Sequence, residues 1–90
     1  MPVHATFTLT FASGRTVTAQ LTAPFHSTVA DVEWSGLDDA SQFPPRLVAH
    51  ASHWRKASVS NLRAIFLNLE RELGPKFSEK YEGQYAAENE

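Results

Sequence analysis

The chain has no cysteine, so neither a disulfide nor a thiolate-bound metal can hold it together. That usage fits a reducing compartment. With only four glycines it contains no G-x-x-x-x-G-K-[ST] or G-x-G-x-x-G loop to cradle phosphate. The strand-to-helix elbow G-x-S-x-G of serine hydrolases is also missing. No apolar run approaches the roughly 18 residues of a membrane span. The first residues lack the basic and apolar regions of a signal peptide, so a cytoplasmic location and no membrane partner are expected. Charge is scarce at the start, where residues 1–27 carry Arg15 alone.

What remains is ordinary globular material, 42% apolar and 20% charged over 90 residues. That length suits one domain with a lean core. Its charges fall in blocks. Asp31, Glu33, Asp38 and Asp39 occupy residues 28–43 without a base, and Arg46, Arg55, Lys56 and Arg63 occupy residues 44–63 without an acid. The last 27 residues hold six acids against three bases. Such blocks either neutralise one another within the fold or give a bipolar surface that steers a charged partner.

Val3, Ala5, Phe7, Leu9 and Phe11 alternate with His4, Thr6, Thr8 and Thr10, and Val17, Ala19 and Leu21 alternate with Thr16, Thr18, Gln20 and Thr22. Two strands, at about 3–11 and 16–22, follow from that period of two. A two-residue loop at Ser13-Gly14 would set the apolar rows on opposite faces. A three-residue loop, Ala12-Ser13-Gly14, pairs Leu9 with Val17 and keeps one face dry. The second is expected. Ala30, Val32 and Trp34 alternate with Asp31, Glu33 and Ser35, so a third strand is expected over 29–35; the competing reading is a short helix capped by Ser27 or Thr28.

Pro44-Pro45 suits the first turn of a helix, and Leu47, Val48, Ala51 and Trp54 follow at helical spacing. Leu62, Ile65, Phe66, Leu69 and Leu73 form a longer stripe that Gly74-Pro75 stops. Both stretches share one phase. Arg55 would nonetheless enter the apolar arc, and Ser58-Val59-Ser60 joins weak helix formers to natural caps. Two helical segments, about 45–56 and 60–73, are therefore expected rather than one. Phe77, Tyr81 and Tyr85 recur every four residues in the polar tail 76–90. The first part of that tail is expected to fold back on the core and the end to fray.

These elements define an α+β fold, a three-stranded antiparallel meander packed on helix, within a single domain 1–75. The expected core is Val3, Ala5, Phe7, Leu9, Phe11, Val17, Leu21, Val32, Trp34, Leu47, Ala51, Leu62, Ile65, Phe66, Leu69 and Leu73. At about 1.5–3 kcal/mol per fully buried side chain, its burial is the main contribution opposing chain entropy.

Chemistry is harder to find. His50 and His53 lie on a helix at H-x-x-H spacing, but zinc needs three or four ligands and no carboxylate shares their segment. Surface histidines explain them. Asp38-Asp39 beside Gly36 reads as a solvated turn rather than a catalytic pair. No catalytic, metal or cofactor site is assigned, and an enzyme is not expected. The basic stretch 46–63 suits phosphate contacts, yet the pI of about 6.0 and the lack of any known nucleic-acid motif weaken that alternative. The threonine rows form an uncharged face suited to a partner surface or a further strand.

The reading is a small non-enzymatic protein–protein interaction protein: an inhibitor, adaptor or accessory factor, by analogy with the anti-defence proteins of phages and plasmids. It acts by surface complementarity, with Asp31, Glu33, Asp38, Asp39, Arg46, His53, Arg55, Lys56 and Arg63 as candidate contacts. The partner is another protein, and a homodimer through the sheet edge or the aromatic tail suits so lean a core. The alternative is a nucleic-acid module using the basic face.

Overall fold

A computed structural model describes residues 3–23, 29–38, 41 and 43–83. The elements run β1 (Val3–Thr10), β2 (Thr16–Ala23), β3 (Ala30–Ser35), α1 (Pro45–His53), β4 (Lys56–Ala57), α2 (Val59–Leu73) and β5 (Lys76–Gly83). The strands form one antiparallel sheet in the order β4-β3-β2-β1-β5, with helix on one side. It is an α+β fold.

The hairpin closes as a three-residue loop. Phe11 N–H donates to the Arg15 carbonyl and Gly14 N–H to the Phe11 carbonyl, both at 2.9 Å, with Gly14 at φ 91°. A β-branched residue would be strained there; glycine is not. The register follows, with Leu9 opposite Val17 and Phe7 opposite Ala19. One face of the hairpin therefore carries only apolar side chains.

β3 continues the sheet, placing Val32 beside Leu21 and Trp34 beside Ala19. The helical alternative for residues 29–35 does not form, and its caps Ser27 and Thr28 lie outside the described residues. The two helical segments are separate. α1 ends at His53, β4 interrupts, and Ser58 starts α2 by accepting a hydrogen bond from Asn61 N–H at 3.2 Å. Arg55 thereby leaves the apolar arc and stands exposed.

The sheet has two more strands than the sequence reading gave it. β4 is two residues long, and β5 pairs with β1 from Lys76↔Thr10 to Val3↔Gly83. The domain therefore extends through residue 83 rather than stopping at 75, and the tail residues 76–83 are a full strand. Phe77 and Tyr81 do share a face, though as alternate residues of a strand, and they pack on the core. Tyr85 lies outside the described residues.

Ala5, Phe7, Leu9, Val17, Leu21, Val32, Leu47, Ala51, Leu62, Phe66 and Leu69 are buried as expected, and Ala19, Ala23, Ala30, Phe43, Ala57 and Val59 join them. Phe11, Trp34 and Ile65 are partly buried against that core. Leu73 is not core. It is 37% exposed in the last turn of α2, where the helix has reached the end of the sheet. Val3's side chain lies outside the described set.

Candidate functional site

The opposite face of the sheet has no described element over it. The bond from Phe11 to Arg15 fixes the phase of the hairpin, so the outward residues of β1 and β2 face each other as close, non-hydrogen-bonded pairs. Thr8 Oγ1 accordingly lies 3.4 Å from Thr18 Oγ1, and Thr22 Oγ1 lies 3.4 Å from His4 Nδ1. The registers then define rows that cross four strands. One runs Glu33, Gln20, Thr6, Lys80, and the next runs Ser35, Thr18, Thr8, Ser78. A third runs Asp31, Thr22, His4, Glu82. The centre of this face is hydroxyl and amide. Its β3 flank is acidic, while its β5 flank carries Lys76, Lys80 and Glu82.

Charges in the third row are locally balanced. Lys56 Nζ lies 3.7 Å from Asp31 Oδ1, and Lys80 Nζ lies 3.4 Å from Glu82 Oε1. All four side chains are well exposed, so each pair contributes little to stability. Their effect is on the electrostatic pattern of the face.

The basic stretch 46–63 does not form one surface. Arg46, at the start of α1, is ion-paired with Glu72 near the end of α2. Arg63 holds Glu79 of β5 through Nε at 2.7 Å and Nη2 at 3.1 Å. Lys56 belongs to the open sheet face. His53 packs edge-on against Trp54, ring centroids 5.2 Å apart. Burial, with Arg46 and His53 nearby, pushes the His50 imidazole below its ordinary 6.5 and so favours its neutral form.

Of the acidic candidates, Asp31 and Glu33 stand together on the outward side of β3 and Asp38 is exposed in the following loop. Asp39 lies outside the described residues. Arg55 sits apart from both. It lines a shallow depression of about 200 Å³ with Val32, Glu33, Trp34 and Ala51, where β4 ends and leaves the rest of β3 as an edge. Among the described residues no group of three His, Asp or Glu is placed to hold a metal ion.

The sequence reading named the threonines of this face but missed Ser78, Lys76, Lys80 and Glu82. Alternation over residues 76–82, broken at Glu79 by a charged residue on the inward side, was the available signal.

Comparison with protein-family models, curated proteins and solved structures found no match to the chain. No helix among the described residues is long and apolar enough to cross a membrane.

Proposed function

We propose that the protein is a non-enzymatic protein-binding domain that acts by surface complementarity through the open face of its sheet. The observation that supports this reading is the row Glu33, Gln20, Thr6, Lys80: an uncharged middle between ends of opposite charge, across four paired strands. Threonine and glutamine are less costly to remove from water than charged groups, and flanking charges set orientation. A nucleic-acid role draws less support. A sheet that binds single strands offers several aromatic side chains for stacking, and the outward residues of β1, β2, β3 and the described part of β5 include no Phe, Tyr or Trp and only the imidazole of His4. Three of the four Arg and Lys candidates over 46–63 already have carboxylate partners.

The test is affinity capture from the cell of origin, with an untagged copy of the chain co-expressed so that self-association is also scored. Wild type and Ala64→Arg, which alters an exposed site on α2, should retain a stoichiometric partner. Thr8→Arg/Thr18→Arg should lose it. Retention by the sheet variant, or no partner with the tag at either terminus, overturns the reading.

A further inference from the structure

We infer that the open sheet face docks on the same face of a second copy of this chain, about a two-fold axis parallel to the strands. The inference rests on the reading that this face is a protein-contact surface.

The charge pattern chooses both partner and axis. A two-fold axis along the strands keeps each row at its own level and exchanges the flanks, so β3 of one copy lies over β5 of the other. Glu33 then meets Lys80 of the second copy, and symmetry makes the contact twice. Between these contacts Gln20 lies over Thr6, and in the next row Thr18 lies over Thr8 and Ser35 over Ser78, hydroxyl against hydroxyl. The third row brings Asp31 over Glu82, each already beside a lysine of its own chain. A two-fold axis across the strands would instead stack β3 on β3 and oppose the acids. Only the first arrangement brings Glu33 and Lys80 together; its acid-over-acid pair, Asp31 and Glu82, lies at a corner of the face with Lys56 and Lys80 beside it.

Size agrees with a weak dimer. Four strands spaced by about 4.8 Å, each giving about 20–25 Å of length, present on the order of 400–450 Å² per copy in projection. The roughly 800–900 Å² over the pair falls just below the ~1,000 Å² of a stable specific interface, the range of a weak, concentration-dependent contact. Aligned packing of two twisted sheets keeps the middle rows in register while the corners splay.

Pairing through the sheet edge is less suited. Glu70 Oε2 accepts the outward-pointing Phe77 N–H at 2.8 Å, and Glu79 points inward to Arg63 from the same strand. An occupied edge donor and an inward charge are features that oppose strand addition. At the other edge, β4 is two residues long.

Sedimentation velocity and native mass spectrometry across the micromolar to millimolar range provide the test, on the full chain. Wild type should pass from monomer to dimer in that range. Glu33→Lys and Lys80→Glu should each weaken self-association by about tenfold or more, because symmetry counts each like-charge contact twice. An equimolar mixture of the two should restore association, since both contacts between positions 33 and 80 in the mixed dimer are again between opposite charges. Both sites are exposed, and circular dichroism confirms that the variants fold. Monomer at all concentrations overturns the inference, as does a mixture no stronger than either variant alone. If wild type is monomeric while Thr8→Arg/Thr18→Arg abolishes capture of a different protein, self-docking fails and the protein-contact reading stands. A dimer indifferent to all these substitutions places self-association elsewhere and overturns the inference.

Discussion

The indole of Trp34 lies stacked on the ring of Phe66, centroids 5.5 Å apart and planes 23° from parallel. Phe66 also meets Phe7 at 5.5 Å and Phe77 at 5.6 Å, so one residue of α2 touches β1, β3 and β5. The indole N–H donates to the Trp54 carbonyl at 2.9 Å, tying the end of α1 to the same cluster. Phe66→Ala should cost about 3–5 kcal/mol, the usual range for removing a buried aromatic. Trp34→Phe keeps the stacking and loses the hydrogen bond, at about 1 kcal/mol. Urea titrations followed by far-ultraviolet circular dichroism measure both. Equal losses would mean that the Phe66 ring stabilises the fold no more than the indole hydrogen bond does.

Gly36 and Gly14 share φ 91° but differ in their surroundings. A Cβ at Gly14 meets nothing within 4 Å, whereas one at Gly36 falls 2.2 Å from the Thr16 carbonyl oxygen. Gly14→Ala therefore carries only the left-handed penalty, about 1–2 kcal/mol. Gly36→Ala adds a clash with backbone that cannot rotate away, so its loss should be clearly the greater. Thermal denaturation of the two variants compares them directly, and equal losses would mean that the backbone around Thr16 yields without cost.

The hairpin was legible because its turn chemistry and its alternation agree: only the three-residue loop puts Leu9 opposite Val17 with both indoors. The break between the helices was legible in Ser58, a cap where a continuous helix needs none. β5 was not. A spacing of four between Phe77 and Tyr81 fits a helical turn and a strand equally, and Glu79 between them looks wrong for an inward position until Arg63 reaches it from α2. The basic block misled for a related reason. Read as one helical face, 46–63 is a patch; folded, Arg46 and Arg63 go separately to Glu72 and Glu79 of the last acidic block. Neutralisation between blocks, the plainer of the two readings, describes these pairs.

Glu70 joins α2 to the free edge of β5 by accepting the Phe77 N–H. Glu70→Ala should leave that donor to water and cost on the order of 1 kcal/mol, with Glu70→Gln losing less because an acceptor oxygen remains. Amide exchange resolves the effect. The Phe77 amide should exchange about fivefold faster in the alanine variant, beyond any change shared by the core amides. Protection unchanged at Phe77 would show that the carboxylate does not guard the edge.

The hydrogen bond from Arg63 holds the Glu79 carboxyl below its ordinary 4.5, an effect that partial burial opposes and the Tyr81 hydroxyl at 2.8 Å reinforces. Since the folded value lies below the unfolded one, the unfolded chain binds the proton more readily in acid. The stabilisation is therefore complete above the unfolded value and is lost as pH falls through the folded one. Melting temperature should be insensitive to this pair above about pH 5.5 and decline below about 4.5. Glu79→Gln should melt lower than wild type at neutral pH, decline less steeply in acid, and converge with wild type once both side chains are uncharged. Arg63 stays charged throughout, its own value raised by the same bond, so the slope belongs to the carboxylate. Parallel curves for wild type and Glu79→Gln across this range would show that the pair adds nothing to the fold.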